Sequence, residues 1–449
     1  MSHKITHLGA EYTVTGSCHL LQVNGLNILI DCGKVQGDDT ALPMNEWPVS
    51  PSEIHYLFLT HSHIDHIGRV PDLILQGFVG EIILTKATKA LMHDMLEDAM
   101  GFSDLSEKQQ EHVMETLDAL SWSFEYDVLY DLKSGVRFQL GQAGHILGSC
   151  FIRFEWDDPA YSVVFSGDLG AFDTPILPDP SIPAPCDLLI MESTYGDHCH
   201  GSRTERVQRL GKALTRALND GGKVFIPAFS LGRTQELIYE MDRLFSDPHW
   251  RKEFPQLNHA ESKIPVFVDS PLGSKITQIY SKLSDFWDIE AQDFLKSGDH
   301  PIAFDLLQTV NNYDEHKTLI EMDGPTIILA GSGMCTGGRI VHHLREGLSD
   351  PKNDVFFVGY QAQGTPGRAI VRYSQEPDGY VWLKNEKVSI KAEVQVLSGY
   401  SAHADQQNLL DWVGAMEKKP GAIKLIHGES AAQYTLGNML SQRGYTVLK

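Results

Sequence analysis

The stretch LFLTHSHIDHIGRV, residues 57–70, sets three histidines and an aspartate directly behind an apolar segment. Histidine and aspartate gain little from burial unless they are paired or bound to something, so core packing does not explain them. On an extended backbone His61, His63 and Asp65 share one side, while His66 faces elsewhere. One loop thus offers the pairs His61/His63 and Asp65/His66 to two nearby points. Imidazole nitrogens and carboxylate oxygens suit Zn²⁺ or a similar divalent ion.

Three further residues follow apolar segments in the same way. His145 stands between two glycines in GQAGHILGSC, Asp168 follows VVFSG, and His427 follows IKLI. Each alone is more typical of a helix cap or a turn than of a metal ligand. A strand followed by a turn is, however, how a sheet presents side chains along one edge. We therefore expect these three residues to lie near the histidines of residues 61–66.

The alternation of apolar and helical patterns predicts an α/β protein. Up to Tyr195 the pattern is strand-rich, and CHLLQVNGLNILIDCG (residues 18–33) indicates two strands joined by a turn at Asn24-Gly25. Between Tyr195 and about Lys391, apolar strands alternate with helices, which favours a parallel sheet covered on both faces. The remaining tail returns to short strands with histidine-bearing loops.

Composition limits the classes of function. The chain has 449 residues, 42% of them hydrophobic, and its net charge is -22 at pH 7. This acidity argues against nonspecific binding to nucleic acid or to anionic membranes, but it leaves room for a local positive groove. The six cysteines contain no CxxC pair, which favours reduced thiols. Because there is no apolar leader and no run of about 18 apolar residues, we expect a cytoplasmic protein with no membrane span.

The histidine-rich stretch forms part of a larger pattern that resembles the metallo-β-lactamase fold. The motifs that carry this resemblance are LIDCG with Asp31, HSHIDH at 61–66, GHILGS at 144–149 and SGDLG at 166–170. Later motifs resemble the β-CASP branch of that fold, namely Glu192 in MESTYGD, His403 in GYSAHAD and His427 in IHGES. This branch contains RNA- and DNA-processing nucleases, among them the nuclease subunit of the pre-mRNA cleavage and polyadenylation machinery.

The resemblance implies a fold and its domains. We expect a metallo-β-lactamase αββα sandwich interrupted by an inserted β-CASP domain of the parallel-sheet α/β type. The first part of the sandwich would span residues 1–196, the insertion 197–391, and the completing segment 392–449.

The resemblance also implies a ligand set for two Zn²⁺ ions per chain. The two sets would be His61, His63 and His145 for one ion, and Asp65, His66 and His427 for the other. Asp168 would bridge the two ions. Asp31 would orient a ligand histidine through a hydrogen bond, which such sites need.

For catalysis, the resemblance points to hydrolysis of a phosphodiester bond, leaving a 5′ phosphate and a 3′ hydroxyl. The leaving ribose 3′ oxygen needs a proton, so a general acid is required. His403 is the predicted acid, with Glu192 holding its other nitrogen. Asp31 and Asp65 complete the predicted catalytic set. A structural or helix-capping role for His403 is the alternative that the residues alone leave open.

Glycine-bearing turns in the middle block suggest contacts to substrate phosphate. Ser230 and Arg233 lie in SLGR, and Ser332 lies in GSGMCTGGR, each between an apolar strand and a helix. The N–H groups at a helix N-terminus bind anions well. Ordinary strand-to-helix turns also use glycine, so a purely structural role stays open. The chain has neither a Walker-type GxxxxGK[ST] motif nor a dinucleotide fingerprint in its first strand–turn–helix unit, so no nucleotide cofactor is expected.

The leading hypothesis is a zinc-dependent ribonuclease of single-stranded RNA, endonucleolytic, with 5′-to-3′ exonuclease activity left open. The alternatives are a hydrolase of DNA or of a small ester on the same metal core, and a noncatalytic RNA-processing scaffold subunit. Since RNA affinity usually rests on basic contacts, an acidic chain should bind RNA weakly, through a restricted positive cleft, or with the help of a homodimer or an RNA-processing partner.

Overall fold

The computed structural model describes residues 3–201, 205–257, 263–397 and 399–449. Its strands are β1 (Lys4–Gly9), β2 (Cys18–Val23), β3 (Leu26–Ile30), β4 (Tyr56–Phe58), β5 (Glu81–Thr85), β6 (Ser121–Phe124), β7 (Leu129–Asp131), β8 (Val136–Gln142), β9 (Cys150–Asp157), β10 (Ala160–Phe165), β11 (Leu188–Glu192), β12 (Lys223–Pro227), β13 (Val266–Val268), β14 (Leu307–Thr309), β15 (Thr326–Ala330), β16 (Asp354–Phe357), β17 (Tyr380–Leu383), β18 (Glu386–Ser389), β19 (Glu393–Val396), β20 (Ala422–Ile426) and β21 (Val447–Leu448).

Its α-helices are α1 (Ile64–Ile67), α2 (Val70–Leu75), α3 (Lys86–Gly101), α4 (Glu107–Leu120), α5 (Arg206–Ala217), α6 (Arg233–Ser246), α7 (Pro248–Glu253), α8 (Pro271–Lys282), α9 (Ile289–Ser297), α10 (Tyr313–Glu321), α11 (Arg339–Gly347), α12 (Pro366–Tyr373), α13 (Gln406–Gly414) and α14 (Ser430–Gln442).

The chain divides into two units. Unit 1 comprises residues 1–199 and 403–449, and unit 2 comprises residues 200–402. Unit 2 thus extends to Ala402, beyond the boundary at residue 391 that the resemblance implies. The physical reason lies in β19, whose backbone pairs in parallel with β16 of unit 2, so this strand belongs to the inserted sheet and not to the tail.

Unit 1 is built around two facing sheets. One has the strand order β1-β2-β3-β4-β5-β6, and the other has the order β21-β20-β11-β10-β9-β8-β7. Their inner faces share one apolar core, in which Phe58 of the first sheet meets Phe138 and Phe154 of the second, with ring centroids 4.9 and 4.8 Å apart. Helices α3 and α4 pack on the first sheet, and α13 and α14 cover the second. This is the αββα sandwich that the resemblance implies.

The predicted hairpin near the N-terminus is confirmed. Strands β2 and β3 pair antiparallel, and the turn residues Asn24 and Gly25 have φ of 50° and 80°. These positive values are what a two-residue turn requires and explain the Asn-Gly signal. The next strands, β4 and β5, continue the sheet in parallel.

Strand direction brings the predicted site loops to matching edges. In the first sheet β3 and β4 run parallel, so the loops that carry Asp31 and His61 leave from the same side. In the second sheet β10, β11 and β20 run parallel, and Asp168, Glu192 and His427 lie at or just beyond their ends. The sandwich therefore collects residues that are distant in sequence.

Unit 2 has a parallel sheet with the order β14-β13-β15-β12-β16-β19. Its four central strands, β13, β15, β12 and β16, are short and buried, as expected for a sheet covered on both faces. A separate antiparallel hairpin, β17–β18, packs Val381, Leu383 and Val388 into the same core as Ile370 of α12. The predicted alternation of parallel strands and helices is confirmed.

Candidate metal centre

The histidine-rich stretch adopts a sharper turn than an extended backbone would give. His61 follows β4, His63 is the N-cap residue of α1, and Asp65 and His66 lie within that short helix. The helical turn, rather than strand alternation, separates the two pairs of side chains. The expected extended geometry at Asp65 was therefore wrong, although the two pairs do face two different points.

The first group of side chains is formed by His61, His63, His145 and Asp168. His61 Nε2 and His145 Nε2 each lie 3.1 Å from His63 Nδ1. Ligands of one tetrahedral zinc, at Zn–N distances of about 2.0–2.1 Å, lie about 3.3 Å apart. The spacing of these three ring nitrogens therefore suits one shared metal ion.

The second group is formed by Asp65, His66 and His427. The Nε2 atoms of His66 and His427 are 3.2 Å apart, although 361 positions separate the residues in sequence. Asp65 Oδ2 lies 3.9 Å from His66 Nε2 and 3.7 Å from His427 Nε2. This group has the donor types and the spacing of a second site for a divalent ion.

Asp168 lies between the two groups. Its Oδ2 is 3.6 Å from His61 Nε2, 3.5 Å from His145 Nε2 and 3.3 Å from His66 Nε2. Its Oδ1 is 3.5 Å from His427 Nε2. One carboxylate thus reaches nitrogens of both groups, which is the position of a bridging ligand.

The bonding of Asp168 tests whether these residues fit a metal. The residue is 1% exposed, yet within the described chain neither of its oxygens accepts a hydrogen bond. Buried carboxylates are otherwise paired or bound to metal, because leaving such a group without partners is strongly unfavourable. A carboxylate without hydrogen bonds among converging imidazole nitrogens fits a divalent cation.

Neighbouring side chains fix the outer nitrogens of the ligand histidines. Asp31 Oδ2 lies 2.7 Å from His66 Nδ1 and accepts the Thr60 hydroxyl at 2.8 Å. The Thr194 hydroxyl lies 3.1 Å from His427 Nδ1. Such contacts set the orientation and tautomer of a ligand imidazole. The contact between Asp31 and His66 agrees with the orienting role expected for Asp31. The contacts made by Thr60 and Thr194 were not predicted from the sequence.

Burial and neighbouring carboxylates have opposite effects on the pKa values of the histidines. Burial holds the pKa of His61 and His145 well below the ordinary value for histidine. Burial also lowers the pKa of His66, but the carboxylates of Asp168, Asp31 and Asp65 outweigh it and raise the pKa well above the ordinary value. His61 and His145 are therefore neutral near pH 7, the state that a metal ligand needs.

Backbone conformation in two of the loops is strained. Asp31 and His427 have φ of 57° and 48°, in the left-handed region that residues other than glycine rarely adopt. Such strain persists only where surrounding contacts impose it, and it concentrates at functional sites. Gly167, with φ of 54°, leaves no room for a side chain, since a Cβ there would lie 2.8 Å from the Thr60 Cβ. It allows Asp168 to approach the loop after β4.

His403 lies beside the first group and is paired with Glu192. Its Nδ1 is 3.2 Å from both Glu192 oxygens and 3.8 Å from Asp168 Oδ2, and its ring centroid is 4.4 Å from that of His145. Burial lowers the pKa of His403, but Glu192 and Asp168 raise it to about 9. The cap of α13 is Asp405, whose side chain accepts from Asn408 N, so His403 does not cap this helix.

The predicted phosphate contacts lie in unit 2. The hydroxyls of Ser230 and Ser270 are 3.0 Å apart, and the Ser332 hydroxyl accepts the N–H of Thr336 at 3.0 Å. Arg233 is 5% exposed and forms an ion pair with Glu236. Its positive charge is thus already matched within α6, whereas Ser230 and Ser332 remain partly exposed.

Unit 2 also contains a His/Asp cluster that sequence reasoning missed. Asp269, His316 and His343 are fully buried together, after β13 and on α10 and α11. The only available signal was the paired histidine sequence in α11, because nothing local to Asp269 distinguishes it from other turn residues.

Three family models match the chain in sequence order. The Metallo-beta-lactamase superfamily matches residues 12–228, the Beta-Casp domain matches 234–370, and the Zn-dependent metallo-hydrolase RNA specificity domain matches 387–448. Ribonuclease TTHA0252 of Thermus thermophilus is 37% identical over 444 residues, which are 99% of this chain and 97% of that protein. The chain belongs to the β-CASP family of the metallo-β-lactamase superfamily.

This β-CASP protein is therefore a metal-dependent hydrolase, and the residues that converge in unit 1 form its candidate metal centre. More distant relatives have longer chains. Transcription termination factor FttA of Methanocaldococcus jannaschii is 29% identical over 442 residues, covering 95% of this chain and 67% of that protein. Cleavage and polyadenylation specificity factor 73 of Drosophila melanogaster is 30% identical over 438 residues, covering 95% of this chain and 60% of that protein.

The fold is shared with a solved structure of low sequence identity. The crystal structure of a protein of unknown function from Enterococcus faecalis V583 has a TM-score of 0.56 and 13% identity, and the match covers 99% of this chain and 96% of that chain. None of the helices that the structure describes combines the length and apolar character that crossing a membrane requires.

Proposed function

We propose that this β-CASP protein is a zinc-dependent ribonuclease that hydrolyses single-stranded RNA to products with 5′ phosphate and 3′ hydroxyl ends. The observation that carries this proposal is the buried Asp168 carboxylate, which accepts no hydrogen bond in the described chain and reaches nitrogens of both histidine groups. The proposed main activity is endonucleolytic, with 5′-to-3′ exonuclease activity as a second mode.

The proposed cofactor is a pair of zinc ions. His61, His63 and His145 would hold one ion, Asp65, His66 and His427 the other, and Asp168 would contact both. Nitrogen and oxygen donors in this proportion favour zinc. When bound, two such ions activate water for nucleophilic attack and neutralise charge on phosphoryl oxygens.

His403 is the proposed general acid. Its Nδ1 faces Glu192, and in this proposal its Nε2 carries the proton to the leaving 3′ oxygen. Glu192 is fully buried and also accepts the N–H of Leu169 at 2.6 Å, so its carboxylate is fixed in place. The carboxylate favours the protonated imidazole, which a general acid working near neutral pH needs.

Two lines of support point to RNA as the substrate. The relative at 37% identity is named a ribonuclease, and the C-terminal segment matches an RNA specificity domain. Ser230 and Ser332 are the proposed contacts to substrate phosphate, since both are partly exposed at strand-to-helix turns of unit 2. Arg233 would take part only if its ion pair with Glu236 opened.

The role of His403 is tested with two substrates that differ only at the leaving atom. With ordinary RNA, His403→Ala should reduce kcat by about 10²- to 10⁴-fold, the usual contribution of general acid catalysis. With RNA carrying a 3′-bridging sulfur at the cleavage site, the variant should regain most of this rate, because a thiolate leaves without a proton. His112→Ala, an exposed histidine of α4, is the matched control.

Zinc content measured on the same samples separates chemistry from metal loss. We expect His403→Ala to bind as much zinc as the wild type. An equal loss of rate on both substrates would remove His403 from the proton transfer step.

The mode of cleavage is tested with circular single-stranded RNA, which only an endonuclease can open. A linear DNA of the same sequence measures the preference for ribose. Cleavage of the circle with products that carry a 5′ phosphate supports the proposal. If the circle stays intact while linear RNA is shortened from its 5′ end, the main activity is 5′-to-3′ exonucleolytic and not endonucleolytic.

A further inference from the structure

The hairpin β17–β18 of unit 2 exposes aromatic side chains on one face. Along β17 the residues alternate, with Val381 and Leu383 buried in the core and Tyr380 and Trp382 pointing outward, 42% and 59% exposed. Residues two apart on a strand lie about 7 Å apart on one face. The two rings thus form adjacent exposed surfaces on a rigidly anchored element.

Cationic groups surround these rings. The Lys387 ammonium lies 4.0 Å from the centre of the Tyr380 ring. A cavity of about 640 Å³ runs from the hairpin to α12 and is lined by Arg368 and Arg372 as well as both aromatic residues. In the described chain neither arginine has a carboxylate within ion-pair distance, so both guanidinium groups face solvent with their charge available.

The basic surface continues at the hairpin turn. Lys384 and Asn385 form this turn, with φ of 46° and 67°, and the Lys384 ammonium lies 3.1 Å from His342 Nε2. We call the surface of Tyr380, Trp382, Lys384, Lys387, Arg368 and Arg372 the hairpin face.

Acidic groups near the hairpin face are few. Glu376 and Asp378 also line the cavity, and Glu386 forms an ion pair with Arg345. The face therefore carries four cations against two carboxylates, while the whole chain has a net charge of -22. A local excess of positive charge next to exposed aromatic rings is unusual on so acidic a protein.

We infer that the hairpin face binds single-stranded RNA, with bases stacked on Tyr380 and Trp382 and phosphates held by Arg368, Arg372 and Lys387. This inference rests on the proposed function, since it assigns a second contact surface to the same substrate. Aromatic platforms flanked by cations are how proteins hold single strands without reading their sequence. An acidic nuclease thereby gains affinity for long RNA from a surface separate from its catalytic residues.

The test measures binding of oligouridylate by fluorescence anisotropy, with metal-loaded protein in the His403→Ala background to suppress cleavage. Trp382→Ala should weaken binding by about 5- to 100-fold, the range for loss of one stacked base, while Trp382→Phe should retain most of the affinity. Trp122→Ala is the matched control, because Trp122 is 56% exposed on β6 of unit 1. Trp382 lies outside the core, so the substitution leaves the thermal midpoint unchanged.

Salt dependence tests the phosphate contacts. The slope of log affinity against log salt should fall by about 0.7 for each lost contact, hence by about 1.4 for Arg368→Gln with Arg372→Gln. Lys418→Gln, an exposed lysine of unit 1, should leave the slope unchanged.

A photocrosslink locates the RNA directly. Oligouridylate containing 4-thiouridine should crosslink to peptides that contain Tyr380 or Trp382. On a wild-type His403 background, Trp382→Ala should raise KM for long RNA.

Several outcomes would overturn the inference. These are unchanged affinity of Trp382→Ala for oligouridylate, absence of RNA binding by the parent protein, or crosslinks confined to other peptides. A change of oligomeric state in Trp382→Ala with RNA affinity intact would assign the face to a protein interface instead. Crosslinking at the hairpin in a wild-type protein that cleaves no RNA would instead refute the proposed function and keep the binding surface.

Discussion

Two buried clusters of histidine and aspartate, one in each unit, look alike by composition and differ in bonding. In unit 1, Asp168 is surrounded by ring nitrogens at 3.3–3.6 Å and accepts no hydrogen bond in the described chain. In unit 2, Asp269 Oδ2 lies 2.5 Å from His316 Nδ1 and 2.6 Å from His343 Nε2, and its Oδ1 accepts from Arg339 at 2.6 Å. The first aspartate accepts no hydrogen bond, and the second has three hydrogen-bonding partners.

This difference separates a metal centre from a structural ion pair. Imidazole N–H groups that donate to a carboxylate satisfy its oxygens, and the nitrogens that face it then have no lone pair directed at a cation. Arg339 adds a permanent positive charge beside Asp269, which further disfavours a bound metal ion. We therefore assign the unit 2 cluster to stabilisation of α10 and α11, and the metal ions to unit 1.

The largest expected effect follows from removing the charge of Asp168. Asp168→Asn keeps the shape of the side chain but loses the anionic oxygens that reach both histidine groups. We expect bound metal to fall below that of the wild type and RNA cleavage to fall by at least about 10³-fold. Elemental analysis and single-turnover cleavage of labelled RNA measure both quantities.

If Asp168→Asn retained both its metal and its activity, the bridging position of this carboxylate would have no function. The matched control is the same substitution at Asp269 in unit 2.

Asp269→Asn should lower stability and leave the metal content unchanged. The substitution removes the buried anion that pairs with the partly buried Arg339. Removing one partner of a buried ion pair typically lowers the free energy of unfolding by about 3–5 kcal/mol. Denaturant titration followed by circular dichroism measures this loss of stability. A loss of metal in Asp269→Asn would show that the cluster in unit 2 binds an ion, and would contradict the structural role assigned to it.

A smaller effect is expected at Asp31, which contacts His66 from outside the ligand groups. Asp31→Asn should weaken metal affinity by about 10- to 100-fold, the usual consequence of losing a partner that orients a ligand. Competition with a chelator of known affinity measures the change. Asp39→Asn, a carboxylate that binds Thr15 rather than a ligand histidine, should not alter metal affinity.

The smallest effect concerns acid stability. Burial raises the pKa of Asp269, but hydrogen bonds from His343, Arg339 and His316 outweigh it and lower the pKa from 3.8 to about 2. A depressed carboxylate pKa contributes stability above about pH 4, which is lost as the pH falls toward 2. The stability difference between wild type and Asp269→Asn should therefore shrink by about 1 kcal/mol at pH 3. A difference that stays constant from pH 5 to pH 3 would contradict the lowered pKa.

The convergence of the candidate metal-centre residues could be predicted from the sequence because each follows an apolar strand, and strand direction decides at which edge such residues meet. His427 and His66 illustrate this, since parallel pairing of β11 with β20 brings His427 to the edge where His66 already lies. The prediction of an extended backbone at Asp65 was wrong, because the chain forms the hydrogen bonds of helix α1 at this point and does not continue as a strand.

Other features had no local signal in the sequence. Thr60 and Thr194 are of a residue type that is common at strand ends. Their contacts with Asp31 and His427 depend on tertiary packing, which the sequence near each threonine does not show. Asp269 depends on partners from α10 and α11, and only tertiary packing brings these together. The pairing of β19 with β16 also had no local signal, because β19 is a short strand whose sheet cannot be inferred from its own residues.

The most direct test of the two assignments is anomalous X-ray diffraction at the zinc absorption edge, from crystals of protein purified with zinc. Two peaks about 3.5–4 Å apart are expected, on either side of the Asp168 carboxylate, with no peak near Asp269. A peak among Asp269, His316 and His343, or an absence of peaks at Asp168, would contradict both assignments.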